Sequence, residues 1–272
     1  MKIITSLITA SILSASFITS TMAHDTGHSQ LEQAIAGEHR NAKNSARDQY
    51  RHPQQTLDFF GFKSTMTVVE IAPGGGWYTE ILAPALKGTG TFYGAHYPDT
   101  GKNDYYSKSR RKLETKLASD AVFSEVKLTN FTPKVASELA PANSADLVLT
   151  FRNLHNWGEA GVKQLFADSY KALKPGGVLG VVEHRMPTSQ KLADNMRSGY
   201  FPTQMAIDLA ISAGFKLAAS SEINANPKDN AVHPKGVWTL PPVYRLGDKD
   251  KAKYSAIGES DRMTLKFIKP AK

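Results

Sequence analysis

The chain has 272 residues, of which 33 are Lys or Arg and 25 are Asp or Glu, and it contains no cysteine. This length suits one large domain or two small ones. The lack of cysteine excludes disulfides, thiolate metal sites and a cysteine nucleophile. The formal net charge of +8 comes from scattered side chains, which are typical of solvated helix faces, so we expect no nucleic-acid partner.

The first 23 residues have the pattern of a secretory signal peptide. One Lys precedes an apolar run over residues 3–19, and Thr21-Met22-Ala23 forms a small-residue cleavage site. The run is short for a membrane-spanning helix and is interrupted by Ser and Thr. We therefore expect cleavage after Ala23, export to the periplasm or the medium, and no stable membrane insertion afterwards. The sequence does not indicate an oligomeric state.

Residues 24–64 are predicted to form an N-terminal helical extension. A peripheral helix is expected over 30–45, and a second helix begins at Pro53 and ends near Gly61. The segment 47–52 lies between these two helices, shortly before the sheet.

Residues 65–272 alternate between strand and helix patterns. Strands alternating with helices of ten or more residues predict an α/β fold with a doubly wound, mostly parallel seven-stranded sheet. Residues 224–261 are rich in Pro, Asn, Asp and Lys and are expected to form an ordered loop or hairpin. The predicted strands cover 65–72, 90–96, 121–128, 145–151, 178–183, 215–223 and 263–268. The predicted helices cover 77–86, 104–118, 159–173 and 203–214.

The stretch VVEIAPGGGWYTE, residues 68–80, places three glycines directly after the first predicted strand. In open parallel sheets, ligands bind at the carboxyl ends of the strands, beside the switch point. Glycine lets the backbone approach a ligand, and the following helix offers free N–H groups. No Lys-Ser or Lys-Thr follows, which excludes a P-loop, and Thr79 at the third glycine position disfavours a dinucleotide motif. A nucleoside cofactor and a purely structural turn both fit the pattern.

The run Glu70-Ile71-Ala72-Pro73-Gly74-Gly75-Gly76 resembles the first motif of class I S-adenosylmethionine-dependent methyltransferases. That motif is an acidic residue, a spacer and glycines at alternate positions. Residues 146–149 resemble the family's fourth strand, 173–177 its turn before the fifth, and 262–267 its antiparallel last strand. The segments ARDQYRHP, VVEIAPGGGWYTEILAP and FRNLHNW resemble an exported group of predicted methyltransferases.

The resemblance implies S-adenosylmethionine as the cofactor and a small molecule as the methyl acceptor. Glu70 would orient the glycine loop, and the loop would pass beside the methionine part. Ala72 replaces the family's first glycine, and His96 takes the ribose position that usually carries a carboxylate. Asn130 and Phe131 would meet the adenine by hydrogen bonding and stacking. The implied cofactor-binding residues are Glu70, Ala72, Pro73, Gly74, Gly75, Gly76, His96, Asn130, Phe131, Arg152 and Asn153.

The catalytic candidates are His155, His184 and Tyr200. The two histidines follow neighbouring strands, so we expect both to face one pocket, where a His could take a proton from an acceptor hydroxyl or amine. A structural role for each His stays open. Tyr200 lies in the insertion after the fifth strand, where the family's acceptor specificity often resides. The histidines lack helical spacing and a matching carboxylate, so no metal site is predicted.

The sequence also suggests a candidate lid and an alternative function. By resemblance, Tyr50 and Arg51 line a lid over the cofactor, although an exposed polar helix end is the simpler explanation. The alternative function is an exported binding protein, or an enzyme of another class with or without a His-bound metal, that reuses this fold, because fold does not fix function. Binding of S-adenosylmethionine discriminates between the two functions.

Overall fold

We describe a computed structural model of the chain, covering residues 26–195 and 197–271, with side chains from Gln30 onward except at 194 and 195. The predicted signal peptide and its cleavage site lie outside the described residues. Among the helices that the structure describes, none has the length and apolar character needed to cross a membrane.

Eight strands form one sheet. They are β1 (Thr67–Ile71), β2 (Thr91–His96), β3 (Lys127–Asn130), β4 (Ala145–Phe151), β5 (Leu173–Met186), β6 (Phe201–Pro202), β7 (Lys216–Ser221) and β8 (Arg262–Ile268). The order is β3-β2-β1-β4-β5-β8-β7, and β6 pairs with the end of β5. Strands β1 to β5 pair in parallel, and β8 runs antiparallel to β5 and β7. The predicted doubly wound, mostly parallel sheet is confirmed, and the two-residue β6 is an addition to it.

Ten helices surround the sheet in the described part of the chain. They are α1 (Thr26–Ala36), α2 (Ala42–Ser45), α3 (Asp48–Arg51), α4 (Pro53–Phe60), α5 (Thr79–Leu86), α6 (Tyr105–Ala118), α7 (Gly158–Ala172), α8 (Leu192–Asn195), α9 (Thr203–Ser212) and α10 (Lys251–Ile257). Pro53 begins α4, and Gly61, at φ 80°, ends it, as the sequence predicts. Asp104 caps α6 by accepting from the Ser107 N–H at 2.8 Å.

The core lies on both faces of the sheet. Val68 packs with α1, α4 and α5 on one face, whereas Val69 and Ile71 pack with α7 and α9 on the other. Successive strand residues point to opposite faces, so apolar residues follow one another in a strand covered on both sides, as Val68 and Val69 do in β1. This burial fixes β1 and the turn that follows it at the centre of the molecule.

Three predicted elements differ from the structure. Residues 30–45 form two helices, because Asn41 caps α2 by accepting from the Lys43 N–H. The third strand is later than predicted: Asp120 caps a 3₁₀ turn over Ala121–Phe123, so β3 ends at Asn130. Residues 224–261 contain a 3₁₀ turn, Gly236–Thr239, and α10, and no hairpin pairs within this described segment.

Candidate functional site

The chain leaves β1 through a turn in the left-handed region, with φ of 45° at Ala72, 60° at Gly74 and 76° at Gly76. Glycine adopts this conformation freely, whereas for Ala72 it costs about 1–2 kcal/mol. Beneath the turn, Oε2 of Glu70 accepts from Oγ1 of Thr79 at 2.7 Å, which ties β1 to the start of α5. Burial raises the pKa of Glu70 to about 7. Glu70 therefore holds the turn from below and does not border the cleft.

The three glycines have different surroundings. A Cβ added at Gly75 would come no closer than 3.8 Å to Nζ of Lys112, and one at Gly74 would lie 4.0 Å from the Ala72 carbonyl oxygen. At Gly76 it would lie 2.8 Å from Cδ of Lys116. Gly74 and Gly75 therefore border open space, whereas Gly76 allows α6 to pack against the turn.

The turn opens onto a cleft of about 650 Å³ at the carboxyl ends of β1, β4 and β5. A smaller cavity of about 190 Å³ shares Ala72, Gly74 and Asn153 with it. The predicted residues that border the main cleft are Ala72, Pro73, Gly74, Gly75, Arg152, Asn153, His155 and His184. The aromatic walls of the smaller cavity are Tyr97, Tyr105, Tyr106 and Trp157.

Strands β4 and β5 bring His155 and His184 together, with their ring centroids 5.2 Å apart. Nδ1 of His155 donates to Oε1 of Glu183 at 2.9 Å. A carboxylate only accepts, so this bond fixes the tautomer and leaves Nε2 of His155 with its lone pair. Glu183 has no exposed surface and also accepts from the backbone N–H groups of Leu154 and His184, at 2.5 and 2.8 Å.

His184 lies beside this pair in a different electrostatic environment. Its Nδ1 lies 2.5 Å from Oγ of Ser260. Burial, followed by the proximity of His155 and Arg262, holds the pKa of His184 well below its usual range. A histidine with so low a pKa is a weak base, which leaves His155 as the candidate base.

One ligand atom from each of His155, Glu183 and His184 lies within 4.8 Å of the others, a spacing that a metal ion could use. Both Glu183 oxygens, however, already accept N–H groups of the chain. Arg152, Arg262 and Arg51 also lie close enough to lower the pKa of His184, and the same charges disfavour a divalent cation.

Four arginines gather around one carboxylate at the cleft: Arg47, Arg51, Arg152 and Arg262 around Glu259. Nε of Arg47 and Nε of Arg51 donate to the Glu259 oxygens at 2.5 and 3.3 Å, and Arg262 donates to Oε2 as well. Burial alone would raise the pKa of Glu259, but Arg262, Arg51 and Arg47 outweigh it and hold the pKa well below its usual range.

Besides Glu70 and Gly76, four predicted site residues lie outside the cleft. His96 is fully buried, with Nε2 3.1 Å from Oγ of Ser109 on α6, and burial lowers its pKa to about 4. Strand residues alternate in direction, so the next residue, Tyr97, borders the smaller cavity instead. The assignment of His96 to the ribose position is not supported by this placement.

Asn130 and Phe131 do not border the smaller cavity either. Asn130 is exposed and faces a separate cavity beside Tyr93, because β3 begins later than predicted. Phe131 is buried behind Trp157, with the ring centroids 4.8 Å apart.

Tyr200 is buried under the late loop. Its hydroxyl donates to the two Asp229 oxygens at 3.1 and 2.9 Å, and its ring does not line the cleft. Tyr200 therefore has a structural partner in Asp229, and its catalytic role stays a prediction.

Most of the charged and aromatic side chains at the site were not predicted from the sequence. Arg51, the candidate lid residue, does line the cleft, with its guanidinium 4.7 Å from the Trp77 ring centroid. Tyr50 is not among the cleft-lining residues; it lies near Gly258. A visible signal for Arg262 was its position at the start of the last strand, β8. The pair Tyr105-Tyr106 gave no comparable signal, because its role depends on where α6 packs.

No protein-family model matches the sequence, and no curated protein does. Solved structures with a similar fold include an S-adenosylmethionine-dependent methyltransferase from Aquifex aeolicus, at 13% identity and a TM-score of 0.56, covering 89% of this chain and 98% of that one. A putative sarcosine dimethylglycine methyltransferase from Galdieria sulphuraria is 11% identical, with a TM-score of 0.59 and coverage of 85% and 88%.

The [4+2]-cyclase SpnF is similar as well, at 13% identity and a TM-score of 0.58, covering 90% of this chain and 93% of that one. At such identities the likeness establishes the fold, and one fold hosts more than one reaction. This chain has the fold of the class I S-adenosylmethionine-dependent methyltransferases.

Proposed function

We propose that the protein is an S-adenosylmethionine-dependent methyltransferase that acts on a small molecule. The observation that carries the proposal is that Gly74 and Gly75, at the carboxyl end of β1, line the same cleft as His155. The glycines supply a cradle of bare backbone, and His155 supplies a base whose tautomer is fixed.

The residues present fit this cofactor. Gly74 and Gly75 border open space that a Cβ would enter, and the adjoining cavity has the aromatic walls that suit a planar base. Asn153 lies between the two, and its Nδ2 donates to the Ile71 carbonyl oxygen at 3.1 Å, which leaves its Oδ1 free to accept. Tyr97 and Trp157 thus take the place that the sequence assigned to Asn130 and Phe131.

When bound, S-adenosylmethionine supplies an electrophilic methyl group. The chain itself then has to orient the acceptor, exclude water and remove a proton. His155 accepts that proton at Nε2 from an acceptor hydroxyl or amine. Glu183 stabilises the resulting imidazolium through the bond to Nδ1, and no covalent nucleophile is needed.

We also propose that the protein is exported and that cleavage follows Ala23. The support is the signal-peptide pattern of the first 23 residues. An exported methyltransferase requires a source of cofactor outside the cytoplasm.

A second candidate function is an enzyme of another class, or a binding protein, on the same fold. One observation favours it, the similarity to a [4+2]-cyclase. The spacing of His155, Glu183 and His184 would suit a metal ion, against the charge of the surrounding arginines. Zinc binding at this cluster would support the second candidate.

The test is calorimetric titration of the purified protein with S-adenosylmethionine and S-adenosylhomocysteine, beside Gly75→Asp. We expect micromolar dissociation constants, and at least a hundredfold weakening in Gly75→Asp, because a carboxylate would fill the cradle. Gly247→Asp is the control for the added carboxylate, because a Cβ there meets nothing within 4 Å and Gly247 does not line the cleft. The φ of Gly247 is 63°, a left-handed conformation that Asp adopts more readily than most residues. Absence of binding at millimolar ligand would overturn the proposal, and a parallel zinc titration would then test the second candidate.

A further inference from the structure

The main cleft carries a large excess of positive charge. Its described lining contains seven lysine and arginine side chains and one carboxylate, that of Glu259. Cations that share a partly desolvated site repel one another, so their grouping costs stability unless anions balance them.

Glu259 does not balance the whole group. Its two oxygens are already shared among Arg47, Arg51 and Arg262. Arg51 is only 3% exposed, and its Nη1 is buried with no hydrogen-bond partner. The Arg152 side chain makes no hydrogen bond or ion pair with the described part of the chain, although it lines the cleft. The Arg152 guanidinium therefore has donors available to a ligand, and Arg51 has an unsatisfied donor buried beside the cleft.

The arginine group extends across the cleft from Arg152, directly after the strand next to the glycine turn, to Arg262. In the sheet, β8 is the third strand from β1, across β4 and β5, and neighbouring strands are about 4.8 Å apart, so β8 lies roughly 14 Å from β1. Arg152 follows β4, and Arg262 begins β8. Arg51 reaches this group from α3, over the Trp77 ring.

We propose that Arg51 and Arg152 bind the oxyanion of a second small molecule, a carboxylate or a phosphate ester, and that this molecule is the methyl acceptor. The proposal rests on the proposed methyltransferase function. A guanidinium presents a planar fork of donors that matches both kinds of oxyanion. His155 is three residues after Arg152, so an acceptor held by its anionic group would present a hydroxyl or amine to Nε2 of His155.

The first experiment measures binding of inorganic phosphate and of acetate to the purified protein by calorimetry, in a buffer free of other oxyanions. We expect at least one of the two to bind, and Arg152→Gln to weaken its binding about ten- to hundredfold, as for loss of a hydrogen bond to a charged group. Arg111→Gln is the matched control, because Arg111 pairs with Asp99 on the surface and does not line the cleft; its binding should change less than twofold.

The unfolding temperature of Arg152→Gln shows whether this variant is folded. Because Arg152 has no partner to lose and several arginines around it, Arg152→Gln should unfold at a temperature equal to or higher than that of the parent protein. A second variant, Arg51→Gln, should weaken oxyanion binding independently. Failure of both oxyanions to bind at 10 mM or so, or binding that neither substitution weakens, would overturn the proposal.

A second experiment separates the acceptor from the cofactor's own carboxylate. If the arginines hold the acceptor, S-adenosylhomocysteine and the oxyanion bind together, and Arg152→Gln changes S-adenosylhomocysteine affinity less than about threefold. Competition between the two ligands would overturn the acceptor assignment. Oxyanion binding that depends on Arg152, without any binding of S-adenosylhomocysteine, would instead refute the methyltransferase function and leave an anion-binding site.

Discussion

Nδ1 of His155 donates at 2.9 Å to Oε1 of Glu183, a carboxylate with no exposed surface. The same carboxylate accepts from the backbone N–H groups of Leu154 and His184. One buried side chain therefore joins the segment after β4 to the end of β5 and sets the orientation of the histidine that faces the cleft.

Replacing Glu183 with Gln should loosen this junction. The amide NH₂ of the glutamine would face an N–H donor. We therefore expect the free energy of unfolding to fall by about 2–3 kcal/mol, the penalty for an unsatisfied buried group. The Nδ1–H resonance of His155 in a histidine-selective NMR spectrum should also shift or disappear. The matched control is Glu159→Gln, because Glu159 pairs with Lys163 on the surface, and its effect should stay within about 0.5 kcal/mol. Equal free energies of unfolding for Glu183→Gln and Glu159→Gln in urea would show that Glu183 does not hold the two segments together.

Glu70 should make stability fall with rising pH. Burial raises its pKa from 4.5 to about 7, so the folded state holds its proton more tightly than the unfolded state does. The stabilisation is complete below pH 4.5 and is lost as the pH rises to about 7, which amounts to about 3 kcal/mol over that interval.

Urea unfolding of the parent protein and of Glu70→Gln at intervals between pH 4.5 and 7.5 measures this effect. The free energy of unfolding of the parent, relative to the variant, should decrease across the interval. A difference that is constant or grows with pH would contradict the assignment.

Glu259 should be one of the most sensitive positions for stability. Glu259→Gln leaves Arg47, Arg51 and Arg262 without their shared counter-ion, which should cost about 3–5 kcal/mol of unfolding free energy. Its pKa is depressed in the folded state, so its contribution is present above pH 4.5 and is lost as the pH falls below that value. The control is Glu222→Gln, because Glu222 is an exposed partner of Arg185. Similar losses in the two variants would show that the arginines do not depend on Glu259.

The glycine turn should separate binding from stability. Gly75→Ala places a methyl group at ordinary contact distance from Lys112, so the free energy of unfolding should be unchanged or slightly higher. The same variant should bind S-adenosylhomocysteine about tenfold more weakly. Gly76→Ala combines φ of 76° with a 2.8 Å contact to Lys116, and should lose about 1–3 kcal/mol of stability. Thermal unfolding and calorimetry of both variants test this contrast, and a stable Gly76→Ala protein would contradict it.

Much of the fold could be predicted from local signals. Proline at the start of α4, glycine at its end and the apolar run of β1 act on their immediate neighbours, so their meaning does not depend on distant residues. One of the three elements that differ, β3, is a short strand with few buried side chains, and the capping Asp120 decides what precedes it.

The sequence by itself determined the order of strands and helices, the glycine turn after β1 and the meeting of His155 with His184, because parallel strands end at a common edge of the sheet. Only the tertiary structure decided which side chains face the cleft. His96 and Tyr97 are adjacent in sequence, yet alternation along the strand buries one and turns the other toward the cavity. Arg51, Arg152, Glu259 and Arg262 come from separate segments, and their charges interact only because folding removes the water between them.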